Sequence, residues 1–507
     1  MDFMQTWFGW SRQSLAALVL ISAVAGCSPA RRQTGSPQGD GKVPITTASN
    51  EARQDYLKGR DFGENLRAYD SQQLLKSAVG KDSTFALAYY NLALSAPTAK
   101  DFFDNLNKAV ALADKVSEGE RLMILGLQAG ANADPAKQRE YYEQLIAKYP
   151  QDERAHFLLG NAYFGQQDYA KTVEQYQKAI AIAPTYAPVY NLLGYAHRTL
   201  GNYTEAEQAF KKYIELIPGD PNPYDSYAEL LMKTGRFGES IQMYRKALSV
   251  DPHFVFSHVG IANDFVYLGK HDSARAETQK LLKAARTDGD RRVAMFTNTL
   301  IYAAQGKLDL ALQELEKQYA LGERINDAAA MAGDAVSMGD VLLEAGRPDA
   351  ALRRYEQAVK LLETSSLSQE VKDDAKLVHH FNVGRVALLR NDLSTAKAEA
   401  RAFMQGATAK RNDAEVRQAH QLAGMIALQE RDFETALGEL AQANQQDAYN
   451  LYRMGLAYQG KGDKAKQQEM FDKAANLNTL LTLNSSFVRA KAGAMPISAS
   501  ASASRRR

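Results

Sequence analysis

Core-type residues recur along most of this chain at steps of three and four. Around Gly160 they fall at His156, Leu159, Gly160 and Tyr163, one stripe along a helix; Thr172, Tyr176 and Ala179 form a second stripe shortly after. The phrase LLGNAYFGQQDYAKTVEQYQKAIAIAP, residues 158–184, then returns thirty-four residues later as LLGYAHRTLGNYTEAEQAFKKYIELIP, residues 192–218. Aligned on the small residue of each first stripe, the units fall at Gly59, Ala93, Gly126, Gly160, Gly194, Ala228 and Ala262, at intervals of 33 or 34. They continue in looser register at Thr299, Gly339, Gly384, Gly424 and Gly455, making twelve. Runs of alternating β-branched residues are scarce, so the pattern predicts pairs of helices and no sheet.

The punctuation agrees. Seven residues after the small residue stand Gly201, Gly235, Gly269, Gly306, Gly346 and Gly462, where a first helix can end in a left-handed residue. Pro150, Pro184, Pro218 and Pro252 follow the second helices, since proline cannot continue one. Ser117 and Glu120 have the spacing of a capping box. The small residue itself is expected where two helix backbones cross closely. A lone hairpin of this size buries too few side chains to offset the entropy of ordering it. Repetition solves this, because each hairpin covers the apolar stripe of the next; the expected result is an elongated stack with no central core.

The aromatic, Leu, Gly, Tyr, Ala and Pro positions of these units resemble the tetratricopeptide repeat over roughly residues 51–476. The resemblance implies an all-α fold, an α-solenoid of about twelve stacked helix-turn-helix repeats forming a right-handed superhelix. It also implies that first helices line a concave groove, with the positions three before and one after the small residue facing it. Those positions are Phe157 and Asn161, Asn191 and Tyr195, Asp225 and Glu229, and Val259 and Asn263. Asparagine can donate to and accept from a peptide backbone together, so the partner expected there is a protein or peptide, held as an extended segment or a helix. The family's clamp for a free carboxylate needs Lys where Phe157 stands, and that ligand is not expected. Phe381 and Arg385 flank Gly384 as an isolated match. The segment NLNTLLTLNSSFVRAK after Ala475 reads as a closing helix over the last apolar face.

Charge and cysteine usage add an address. The net charge is +2, but the tail from Arg489 onward carries five basic residues and no acid, and residues 28–42 carry +2, leaving the body between them at −5. Such a body does not suit nucleic acid. Residues 15–25 form an apolar run too short for a comfortable transmembrane helix and fitting for a signal peptide. It ends in Val24-Ala25-Gly26-Cys27, which resembles the lipobox of bacterial lipoproteins, with Val24 where Leu is preferred; Cys27 is the one cysteine of the chain. The resemblance implies cleavage before Cys27 and lipidation on it. With two or more acyl chains, that is a stable membrane anchor. Ser28 in place of Asp leans toward the periplasmic face of the outer membrane of a diderm cell. The expected organisation is therefore a signal peptide over 1–26, a lipidated Cys and flexible linker over 27–50, and an N-terminal array over 51–283. A C-terminal array with longer helices and a closing helix follows over 284–490, then a disordered tail over 491–507.

No catalytic chemistry emerges. There is no phosphate-binding glycine loop and no paired-histidine metal signature. His379 and His380 are adjacent and point to different sides of a helix, and no cofactor or metal is expected. The reading is a non-enzymatic scaffold for protein–protein interaction on the bacterial envelope. A second reading is a regulatory or assembly subunit of an envelope export machine for a secreted protein, pilus or polysaccharide.

Overall fold

A computed structural model describes residues 41–491, and the expected signal peptide, Cys27 and the tail beyond 491 lie outside them. Among the described residues there are twenty-five α-helices, one short 3-10 turn and no strand. They form twelve antiparallel hairpins followed by one more helix, Leu483–Lys491. All twelve small residues picked from the repeat fall in the first helix of a hairpin, from Gly59 in Asn50–Glu64 to Gly455 in Ala448–Lys461. Helix length changes past residue 284: Asp288–Ala304, Leu308–Arg324 and Ala328–Glu344 are 17 residues each, where most earlier helices have 14. The change does not interrupt packing, because Val293 and Ala294 close onto Val255, Val259 and Leu281 across it.

The small residue serves a different purpose from the one expected. In the third, fourth, fifth, ninth and twelfth hairpins it receives a ring from the second helix of its own hairpin, sixteen residues later, rather than the backbone of another helix, and at Gly59 and Gly424 a leucine at the same offset. A Cβ on Gly126 would stand 2.2 Å from Tyr142, one on Gly160 2.4 Å from Tyr176, and one on Gly339 2.3 Å from Tyr355. These tyrosines are buried, as are Tyr244 and Phe210 at the same offset.

The turn after each first helix repeats one backbone state. Gly201, Gly235, Gly269, Gly306, Gly346 and Gly462 all have positive φ, between 69° and 81°. In five other hairpins the same offset is filled by Leu66, Ala133, Gln167, Asn391 and Arg431, also at positive φ. A side chain there costs about 1–2 kcal/mol. We expect Arg431→Gly (φ 65°) to raise unfolding free energy by about 0.5–1 kcal/mol in chemical denaturation, and Gly462→Ala to lower it by a similar amount.

The expectation of contacts between neighbours alone does not hold, and the stack is not a straight rod. The second hairpin meets the ninth, where the Lys100 N–H donates to Asp327 at 3.1 Å. The fourth meets the eleventh, where the Arg417 guanidinium donates to the carbonyl of Gln166 at 2.9 Å. An offset of seven hairpins recurs in both, so the array coils back on itself once per seven units. Gly289 is required by this closure: a Cβ there would lie 2.1 Å from the carbonyl oxygen of Pro97. The largest apolar cluster joins residues 52–162 to Ala329, Ala332, Ala335, Ala358, Leu362, Val371 and Ala375, a core shared between successive turns.

Part of the expected flexible linker is also fixed. Residues 42–49 lie along the third and fourth hairpins. Lys42 pairs with Glu153, the Val43 N–H donates to Asp152 at 2.7 Å, and Thr46 binds Glu120 through its N–H at 2.7 Å and its hydroxyl at 2.5 Å. Glu120 is at the same time the third residue of the helix Glu118–Ala131, and its capping box with Ser117 is present as the spacing predicts.

Candidate functional site: the concave groove

The groove positions separate into two groups. In the fourth to sixth hairpins they are largely spent on internal bonds. Phe157 is half-buried and stacks edge-on to Tyr186, with ring centres 5.5 Å apart. Asn161 accepts the Tyr176 hydroxyl at 2.6 Å, which holds the ring that fills the Gly160 notch. Tyr195 donates to Glu229 at 2.9 Å, and Arg198 pairs with the other oxygen of Glu229 at the same distance. Asp225 accepts the Ser257 hydroxyl at 2.7 Å; burial, with Glu229 nearby, pushes its carboxyl well above the ordinary range. Asn191 is buried and its side-chain carbonyl has no partner among the described residues. The resemblance to the repeat family brought out these residues, but not that Tyr195, Arg198 and Glu229 form one network, because Arg198 lies outside the two groove positions per unit.

In the seventh and eighth hairpins the groove is occupied. The closing segment was expected to cover the last hairpin. It does touch it, since Val488 packs with Ala448, Leu451, Phe471 and Ala474. Before that, however, it crosses the interior of the coil to Val255–Tyr267, the first helix of the seventh hairpin. There the Leu481 N–H donates to Oδ1 of Asn263, while Asn263 Nδ2 donates to the carbonyl of Val259 at 2.6 Å. The Tyr267 hydroxyl donates to the Thr479 carbonyl and accepts the Thr479 N–H at 3.2 Å. A cavity of about 20 Å³ remains between Asp225, Glu229, Phe256, Val259, Phe296 and the Leu480–Leu481 pair. The segment then turns into the helix Leu483–Lys491, where Thr482 and Ser485 cap each other reciprocally at 2.8 and 3.1 Å. Leu481, Leu483 and Phe487 join a cluster that includes Leu300, Ala303, Met338 and Val341. Asn484 donates to Asp447 at 2.7 Å and Lys491 pairs with Glu344. Of the residues singled out from sequence, Asn263 is the one that holds a peptide backbone.

A larger cavity, about 750 Å³, lies between the turn of the third hairpin and the junction of the tenth and eleventh. Its charges are mixed, Lys137, Arg139 and Arg411 with Glu140, Glu143 and Glu370, and do not converge on one point. Lys410 at its edge is tied to buried Asp374. Behind it, Glu415 is fully buried, and burial together with Asp374 raises its carboxyl to about 8 despite Lys410 at 3.7 Å. A folded-state value above the unfolded one means that the folded protein holds an extra proton between roughly pH 4.5 and 8, so stability falls as pH rises through that window. We expect Glu415→Gln to flatten this decline and to raise the melting temperature at pH 8 but not at pH 4.5. A parallel shift at both pH values would contradict the assignment. No group of three or more metal-ligating side chains occurs among the described residues, and no helix among them is long and apolar enough to cross a membrane.

Models of the tetratricopeptide repeat match residues 151–218, 222–254, 335–357 and 448–479. No curated protein sequence matches the chain. Among solved structures, a MamA protein aligns at 20% identity over 33% of this chain and 91% of its own, with a TM-score of 0.28. MamA from residue 41 onward of Desulfovibrio magneticus RS-1 aligns at 15% identity over 33% and 95%, with a TM-score of 0.29. A tetratricopeptide repeat protein from Parabacteroides merdae ATCC 43184 aligns at 16% identity over 56% and 99%, with a TM-score of 0.35. The matched stretches are tetratricopeptide repeats, and they sit in an all-α solenoid built throughout from the same kind of hairpin.

Proposed function

We propose that this chain is a non-enzymatic scaffold that holds segments of partner proteins in its concave groove and is tethered to a bacterial envelope by lipid on Cys27. One observation carries the binding half of this reading. The groove of the seventh and eighth hairpins already grips a peptide segment, with Asn263 on its backbone and an apolar wall of Phe256, Val259 and Phe296 on its leucines. Side-chain contacts to a backbone tolerate many sequences, which is what a scaffold for protein partners needs. The anchoring half rests on Val24-Ala25-Gly26-Cys27 and on the single cysteine standing at that place.

Each half has its own test. A photo-reactive aromatic amino acid at Tyr195 is expected to capture protein in cells, and the same group at Tyr203, exposed at the start of the second helix of that hairpin, is expected to capture less. The reverse ranking would move the site off the concave face. Cys27→Ala is expected to shift the protein from the membrane to the soluble fraction; full retention by the membrane would defeat the lipid anchor.

A further inference from the structure

We propose that residues 477–491 are a built-in competitor for the groove, and that the partner segment shares their chemistry: two leucines entering in extended form, then a short amphipathic helix with a basic end. This rests on the scaffold reading and names its ligand class.

The contacts are of the kind a foreign peptide would make. The extended part is held through its backbone, by Asn263 on the Leu481 N–H and by Tyr267 on both polar groups of Thr479. Its leucines fill the wall between the seventh and eighth hairpins, and Phe487 continues that wall along the groove. Charge is complementary as well. Residues 476–491 contain Arg489 and Lys491 and no acid. The groove presents Glu344 to Lys491 and Asp447 to Asn484, while Asp225 and Glu229 beside the leucines are tied to Ser257 and to Tyr195 and Arg198. A partner rich in acidic side chains is disfavoured at the same positions.

The geometry also allows exchange. The helices of the seventh, eighth and ninth hairpins pack in pairs and on the adjoining pairs, so removing the segment uncovers Leu300, Ala303, Met338 and Val341 without unpairing a helix. The hydroxyl of Ser486 is buried in this interface with no hydrogen-bond partner among the described residues, so the segment does not satisfy its own site fully. A competitor that occupies the groove most of the time lowers a partner's apparent affinity by the fraction of molecules left open. Partners below a threshold of affinity or local concentration are thereby excluded.

The test uses the full chain and a labelled synthetic peptide, NLNTLLTLNSSFVRAK. Leu481→Asp with Phe487→Asp should release the segment, and this variant is expected to bind the peptide at least tenfold more tightly than the unaltered chain. Adding Asn263→Ala should weaken that binding at least fivefold. Absence of peptide binding by a variant that keeps its helical circular dichroism would overturn the proposal, as would indifference to Asn263→Ala. A second measurement needs no variant. Amides of residues 481–488 are expected to exchange with solvent through an opening that leaves Val255–Tyr267 and Asp288–Ala304 protected. Exchange only in step with those two helices would make the segment permanent core and overturn the proposal. If it fails while Tyr195 still captures protein in cells, the scaffold reading stands without it; peptide exchange with no protein captured would retire the scaffold reading alone.

Discussion

Gly160→Leu is expected to lower unfolding free energy by about 3 kcal/mol, the upper end of what overpacking a core costs. A Cβ at this position would already lie 2.4 Å from Cε1 and 2.7 Å from Cδ1 of Tyr176. The ring has nowhere to withdraw: Tyr176 is fully buried, its hydroxyl is held by Asn161, and Phe157 stands against it at 5.9 Å. A leucine must push the second helix of the hairpin outward, and the gain in helix propensity over glycine, about 1 kcal/mol, recovers only part of the loss. The control is Gly438, where a Cβ would meet nothing within 4 Å. Gly438→Ala is expected to stabilise by about 0.5–1 kcal/mol. Urea denaturation of both variants checks the pair, and similar effects at the two glycines would remove the notch argument.

Glu120→Ala is expected to cost roughly 2–3 kcal/mol and to free residues 42–49 for proteolysis. The carboxylate is fully buried and accepts three donors: the Thr46 N–H at 2.7 Å, the Thr46 hydroxyl at 2.5 Å and the Ser117 N–H at 2.9 Å. Truncation leaves the part-buried N–H groups of Thr46 and Ser117 without their shared acceptor, and a donor stripped of its partner costs more than an average hydrogen bond contributes. Two features separate this from a simple helix-cap loss of about 1 kcal/mol, namely the size of the effect and its reach to a segment more than seventy residues away in sequence. Limited proteolysis with fragment mapping reads the second; unchanged protection of residues 42–49 would contradict the role given to Glu120.

Much of this was legible in the residues. The step of thirty-four placed the first helices from Gly59 to Ala262, the small residues that follow at uneven steps placed those from Thr299 to Gly455, and the glycines seven residues on marked the left-handed turns. Both signals are local, set by backbone conformation and by one hairpin packing on itself. The same turn state at Leu66, Gln167 or Arg431 carries no such sign, because surrounding structure imposes it on side chains that do not favour it. Coiling was hidden for another reason. The contacts that close it, Lys100 with Asp327 and Arg417 with Gln166, join residues more than two hundred apart and depend on the small rotation between successive hairpins, which no single repeat encodes. The groove was half visible. Asn263 emerged from position in the repeat, whereas its occupant looked like a helix for the end of the array. Leu480, Leu481 and Phe487 are as apolar as any closing helix requires, and their destination is chosen by the shape of the coil.

The groove, its occupant and the shared core all depend on the array winding back on itself once in about seven hairpins, so overall size is the decisive observable. A compact chain of about 450 residues has a radius of gyration of roughly 22 Å, whereas twelve hairpins stacked straight at about 10 Å each would give roughly 35 Å. Small-angle scattering of the chain from residue 28 onward, with its N-terminal segment and tail adding a little to the compact value, is expected to fall near 25–28 Å. A value of 35 Å or more would mean that the second hairpin does not meet the ninth, and the account of the groove would fall with it.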